Sequence, residues 1–227
     1  MSTQEGEMRR VTRTKAEAQA TYDRISRWYN LLEGMWEKGA RDLGLRKLDV
    51  QEGERVLEIG FGPGEDLLVL ARSVGQEGRI YGVDLSPGMI RVAQAKIEEV
   101  GLAQRTGLTR GDAQILPFDD EKFDAIFMSF TLELFDTPDI PEVLAQCRRV
   151  LKGKGGRICI VSLSKEGRST WMRQLYERGH DRFPNFLDCR PIFVGAALEA
   201  ASFQILSNLQ KTIFGLPVEI VLASRVD

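Results

Sequence analysis

Cysteine is scarce in this chain, with three among 227 residues: Cys147, Cys159 and Cys189. They lie far apart and form no CxxC pair, so neither a metal site nor a dithiol redox motif is indicated. An odd, sparse set reads as reduced thiols and a cytoplasmic setting. Long apolar runs are also missing. The best stretches, such as 158–163, are strand-sized, so no spanning helix and no secretory leader are expected. Neither sign of charge dominates: 31 basic residues face 33 acidic ones, for a net charge of -2. Nucleic-acid binders need a clustered basic surface, so no nucleic-acid partner is expected. Histidine occurs once, at His180, and no repeat or low-complexity tract is visible.

What is present suits one α/β domain with a modest extra segment. Hydrophobic residues make up 43% and charged residues 28%, enough for a sizeable core. Residues 12–47 read as helical, with Tyr22, Ile25, Tyr29 and Leu32 on one face, widened by Trp28, Leu31, Met35 and Trp36. That face either packs on the core or forms a flap over a site. Strands are expected at 55–59, 79–83, 108–111, 123–130 and 157–163. Helices are expected at 65–74, 87–100 and 138–150, the second opened by Ser86 as cap and Pro87 in its first turn. Alternation of strand and helix implies a parallel, doubly wound sheet. Beyond 164 the rhythm changes: a helix at 170–179, a loop at 183–191, a helix at 194–201. Strands at 203–214 and 217–224 then flank Gly215 as an antiparallel edge hairpin.

The first strand runs into Glu58-Ile-Gly60-Phe-Gly62-Pro-Gly64. Such a turn can do no more than pack a helix on a sheet, but three features favour a ligand. The glycine spacing is GxGxG rather than the GxGxxG of dinucleotide sites. Glu65 and Asp66 follow at the helix start, where carboxylates would repel a pyrophosphate. Asp84 stands at the tip of the second strand, where a carboxylate can accept from both hydroxyls of a ribose. The loop suits a nucleoside without phosphates.

Residues 56–64, 81–87, 111–118 and 123–135 resemble, in order and spacing, the successive motifs of class I S-adenosylmethionine-dependent methyltransferases. The nearest branch is that of ubiquinone and menaquinone biosynthesis. The likeness covers about residues 18–165. It implies a Rossmann-like, seven-stranded sheet, mostly parallel with an antiparallel C-terminal hairpin. Helices of an N-terminal cap at 1–45 would precede a cofactor-binding domain at 46–227. The implied cofactor is S-adenosylmethionine. Glu58, Gly60, Gly62 and Gly64 would line its methionine and ribose part, and Asp84 would hold the ribose hydroxyls. Leu85 and Met89 would lie against the adenine, Asp112 would accept from its amino group, and the Ala113 N–H would face the ring. Ser129 would sit beside the methionine end, and Tyr22 would cover the cofactor carboxylate. Residue-level alternatives remain: Asp112 as a turn residue, Asp84 as a cap for the Ser86 turn, Met89 as core.

Methyl transfer from a sulfonium is an in-line displacement in which the protein mainly positions and dehydrates. A general base is needed only where the acceptor keeps its proton. The two candidates are Glu133, just past the fourth strand, and His180. Glu133 departs from the quinone enzymes, and either residue could instead be structural or solvated. In the loop at 180–191, Arg182 and Arg190 could bind an anionic acceptor; the alternative is that Arg190 pairs on the surface with Asp188 or Glu199. The expected activity is methyl transfer to a small or lipid-like acceptor, first a quinol or phenol at carbon or oxygen. The rivals are an amine or phospholipid head group, with peripheral membrane contact, and a non-catalytic S-adenosylmethionine-binding protein.

Overall fold

A computed structural model describes residues 14–25, 34–166, 190–213 and 215–226. The expected helices and loops at 26–33 and 167–189, with Trp28, Tyr29, His180 and Arg182, lie outside the described residues. The amino-terminal helical region appears as α1 (Lys15–Ile25) and α2 (Gly34–Leu48). Five strands follow: β1 (Arg55–Ile59), β2 (Arg79–Asp84), β3 (Thr106–Arg110), β4 (Ala125–Ser129) and β5 (Arg157–Leu163). Between them come α3 (Glu65–Ser73), α4 (Pro87–Glu99) and α5 (Ile140–Val150), then α6 (Val194–Ala200) and the hairpin β6 (Phe203–Ile213) and β7 (Leu216–Arg225).

The seven strands form one sheet in the order β3-β2-β1-β4-β5-β7-β6. β1 to β5 run parallel, and β7 lies antiparallel between β5 and β6. The expected Rossmann-like class and edge hairpin are therefore present. Both faces of the central strands are covered, which is why they read as unbroken apolar runs. Leu57, Ile126 and Ile160 belong to the core on the α5 and α6 face. Val56, Phe127 and Val161 belong to the opposite core, with Leu48, Leu67 and Ala93 from α2, α3 and α4. The hairpin carries a bulge between Ile205 and Ser207, and Leu206 there is exposed.

Two strands differ from expectation by more than one residue at an end. β3 begins at Thr106 rather than 108, because Thr106 and Gly107 pair in register with Ile80 and Tyr81 although neither is apolar. β4 spans 125–129 rather than 123–130. Phe123 makes only a bridge to Leu151, and Phe130 leaves the strand with φ 48. Strand order reverses between β1 and β4, so the crevice beyond their carboxyl ends is where such a sheet places a ligand.

Candidate active site

The glycine loop leaves β1 in a conformation that side chains resist. Gly60 has φ 69, and a Cβ there would sit 2.3 Å from Thr131 Cγ2. Thr131 in turn shares its one hydroxyl proton between Ser129 O at 2.9 Å and Gly60 O at 3.3 Å. The loop is thereby pinned against the exit of β4. Gly62 has φ 50, yet a Cβ on it would meet nothing within 4 Å. The loop thus turns bare backbone toward the crevice.

Asp84 closes the other side. Its Oδ2 accepts from Gly62 N at 2.9 Å and its Oδ1 from Ser86 N at 2.8 Å. Burial pushes the Asp84 carboxyl up to about 6, although the N–H groups of Ser86, Gly62 and Leu85 favour its charged form. Ser86 caps α4, its Oγ accepting from Met89 N at 3.1 Å, with Pro87 in the first turn. The same aspartate therefore shapes the turn and lines the crevice.

One cleft gathers Gly60, Gly62, Asp84, Leu85, Met89, Asp112, Ala113 and Ser129. Eight of the eleven residues expected at a cofactor thus meet at the carboxyl ends of β1 to β4. Asp112 also makes a turn, accepting from Gln114 N at 3.0 Å. Gly64 lies behind the cleft as the cap of α3, where a Cβ would come within 2.7 Å of Ala93 Cβ. Glu58 is also set back and buried, and its Oε2 has no hydrogen-bond partner. Burial foremost, then neighbouring Asp66, raises its carboxyl well above the ordinary range, against the pull of Arg41. Asp66 itself is pushed by burial up to about 6 despite Arg41 at 3.8 Å. The Tyr22 side chain lies outside the described atoms.

Glu133 does not take the position expected of a general base. Residues Leu132–Leu134 form a 3-10 turn. The turn sends Leu134 to the cleft and the Glu133 carboxylate inward, where Oε1 accepts from Leu163 N at 3.2 Å. Glu133 is fully buried and is not among the residues lining the cleft. Arg190 is corrected too: it is 2% exposed rather than a surface residue, and its Nη2 donates to Phe135 O at 2.6 Å. It braces the wall formed by Leu134 and Phe135.

Several lining residues were not foreseen. Phe130 adopts a left-handed backbone rare for a bulky side chain, at the tip of β4. Thr14 and Gln19 reach the cleft from around α1. Asp136 and Asp139 follow the 3-10 turn. Among the described lining residues the charged ones are Asp84, Asp112, Asp136 and Asp139, all acids. Such a cleft suits a cationic or neutral ligand and opposes a pyrophosphate.

Residues 56–155 match the family model described as a methyltransferase domain. The chain is similar to the demethylmenaquinone methyltransferase of Geobacillus stearothermophilus, at 33% identity over 152 residues covering 66% of this chain and 62% of that protein. It is also similar to the demethylmenaquinone methyltransferase of Bacillus subtilis (strain 168), at 31% identity, covering 86% of this chain and 77% of that protein. The chain belongs to the class I S-adenosylmethionine-dependent methyltransferases. Within them it stands near the menaquinone branch, although the match spans less than two thirds of the length of the Geobacillus relatives. The fold of the chain is shared with a SAM-dependent methyltransferase from Aquifex aeolicus (TM-score 0.61, 24% identity, 81% of this chain and 88% of that one). It is shared equally with the [4+2]-cyclase SpnF (TM-score 0.75, 19% identity, 94% and 97%).

The residues present fit the family's cofactor. Open space lies over the bare Gly62 backbone. Ser129 lines the cleft, and its hydroxyl, like Glu58 Oε2, is a buried polar atom without a partner. A carboxylate waits at Asp84, and no cation lines the described cleft to oppose a sulfonium. Val83, Leu85 and Met89 offer an apolar slot to an adenine.

Proposed function

We propose that this methyltransferase transfers the methyl group of S-adenosylmethionine to a quinol or phenol, at ring carbon or oxygen. The observation that carries the reading is the division of the cleft. One end is the nucleoside site of Gly62 and Asp84. The other, past Ser129, is walled by Phe130, Leu134 and Phe135, apolar and aromatic groups suited to a planar ring. The names of the relatives support the same acceptor class.

When bound, the cofactor would supply an electrophilic methyl on a sulfonium and leave as S-adenosylhomocysteine, with one proton of the acceptor released to solvent. The chain's own residues do the rest. Asp84 and the glycine loop fix the nucleoside, and Ser129 stands at the β4 tip where the two ends of the cleft meet. Phe130 and Phe135 exclude water, which would compete as acceptor and screen the reacting charges. Glu133, turned away from the cleft, is not assigned as base.

A second reading is methylation of an amine or a phospholipid head group, favoured by Asp136 and Asp139 on the cleft wall. One experiment separates the two. The protein is incubated with methyl-labelled S-adenosylmethionine and a panel of demethylated quinols, phenols, amines and vesicles carrying primary-amine head groups. Label on a quinol or phenol supports the first reading, and label confined to amines replaces it with the second. Binding without label transfer to any acceptor leaves a cofactor-binding protein of another activity, as the cyclase on the same fold illustrates.

A further inference from the structure

Helix α1 is tied to the cofactor cleft by one side chain that does not itself line it. Asp23 Oδ1 accepts from the Ser86 hydroxyl at 2.6 Å and from Gly88 N at 2.7 Å, 63 and 65 residues away in sequence. The second of these is one of the backbone donors that α4 must satisfy at its start. Pro87 has none to offer, Gly88 N goes to Asp23, and Met89 N goes to Ser86 Oγ. A hydroxyl has a single proton, and that of Ser86 is committed to Asp23. The Ser86 N–H is committed to Asp84, whose other oxygen holds Gly62 N. An unbroken polar chain therefore runs from α1 through Ser86 and Asp84 into the glycine loop. Further along the helix, Gln19 Oε1 accepts from Arg110 Nη2 at 3.2 Å, at the end of β3. Helix α1 thus lies across the tips of β2 and β3, and Thr14 and Gln19 on its near side line the cleft beside Asp84 and Met89.

We propose that Asp23 is a positioning residue that fastens α1 over the nucleoside end of the cleft, making Gln19 and Thr14 part of the cofactor's cover. The inference rests on the cofactor reading of that cleft. Asp23 acts through two neighbours: it seats the helix carrying Gln19, and it orients the Ser86 turn that holds the Asp84 carboxylate. The carboxylate is suited to the task. Burial opposes its charge, but the Ser86 hydroxyl, the Gly88 N–H, Gln19 and Arg91 outweigh burial and hold it below the usual carboxylate range. The fastening therefore stays charged at neutral pH.

The test measures the affinity for S-adenosylhomocysteine by calorimetry and amide exchange along the chain, with no turnover required. Asp23→Ala should bind about tenfold more weakly, the scale of lost bonds to a charged acceptor. The amides of α1 should exchange faster while β1, β4 and β5 keep their protection. Asp23→Ser, too short to reach both donors, should behave alike and decides the matter where the alanine variant fails to fold. An affinity within twofold of the parent in either folded variant overturns the proposal. So does weakened binding with α1 protection unchanged, or loss of protection throughout the sheet. Failure of the parent to bind either S-adenosylmethionine or its demethylated product overturns the cofactor reading, and this inference with it.

Discussion

Cofactor affinity should depend on pH through Asp84, with a sign and size that follow from its burial. The carboxyl is pushed up to about 6 before any ligand arrives. Ribose hydroxyls donate, so they bind the ionised carboxylate and lower its pKa in the complex. A group whose pKa is lower in the complex than in the free protein must lose a proton on binding. Affinity therefore rises with pH through the window up to about 6 and levels off near 7. At about pH 5 only roughly one protein in ten has the carboxylate ionised, so binding should weaken about tenfold against pH 7, or ~1.4 kcal/mol. Titration calorimetry with S-adenosylhomocysteine, in buffers of different ionisation enthalpy, reads both the affinity and the proton released. Asp84→Asn separates this carboxyl from Asp66, which burial raises to a similar value but which pairs with Arg41. The variant should bind more weakly and lose the pH slope. Equal parent affinities at pH 5 and 7, or a slope that survives in Asp84→Asn, would refute the reasoning.

Other perturbations separate folding from binding. Gly62→Ala should cost about 1–2 kcal/mol of stability for its positive φ, yet cofactor binding should suffer far more, since the methyl enters the cleft. Gly60→Ala should be worse for folding, because the methyl collides with Thr131 as well; thermal melts of the two variants rank them. Glu58→Gln should leave the cofactor-free melting temperature unchanged or higher, as an elevated buried carboxyl is removed. Without cofactor, the raised carboxyls of Asp66 and Asp84 make the folded chain bind protons more tightly than the unfolded one. Their contribution to stability is present below about pH 4 and is lost as pH rises through about 6. Melting curves of Asp66→Asn across that range should show a shallower loss than the parent. Arg190→Ala should lower stability by about 1–3 kcal/mol, since it leaves the Phe135 carbonyl without that donor; Arg190→Lys should recover only part of it.

Much of this architecture is readable from local chemistry. β1 and β5 have the spans expected of them because both their faces are buried and most residues within are apolar. The Ser86-Pro87 helix start is visible because capping is a contact between near neighbours. The edge hairpin shows itself through two runs joined at Gly215. What escaped was decided by distant partners. Thr106 and Gly107 are drawn into β3 by pairing with β2 and not by their own character. Phe130 flips to a positive φ where β4 meets the glycine loop, which no apolar pattern announces. Glu133 faces β5 because a 3-10 turn sets its direction, and spacing alone could not tell its two sides apart. Asp23 carries no local signal at all, since its donors lie 63 and 65 residues away at the start of another helix.

Product analysis of the reaction with a demethylated quinol tests the central claim most directly. The protein is mixed with S-adenosylmethionine carrying a deuterated methyl group and the reduced quinol, and both products are quantified by mass spectrometry. The products should be S-adenosylhomocysteine and a trideuteromethylated quinol in equal amounts, with both reduced in Asp84→Ala at cofactor concentrations that just saturate the parent. Tight cofactor binding with no label on any quinol or phenol would contradict that claim.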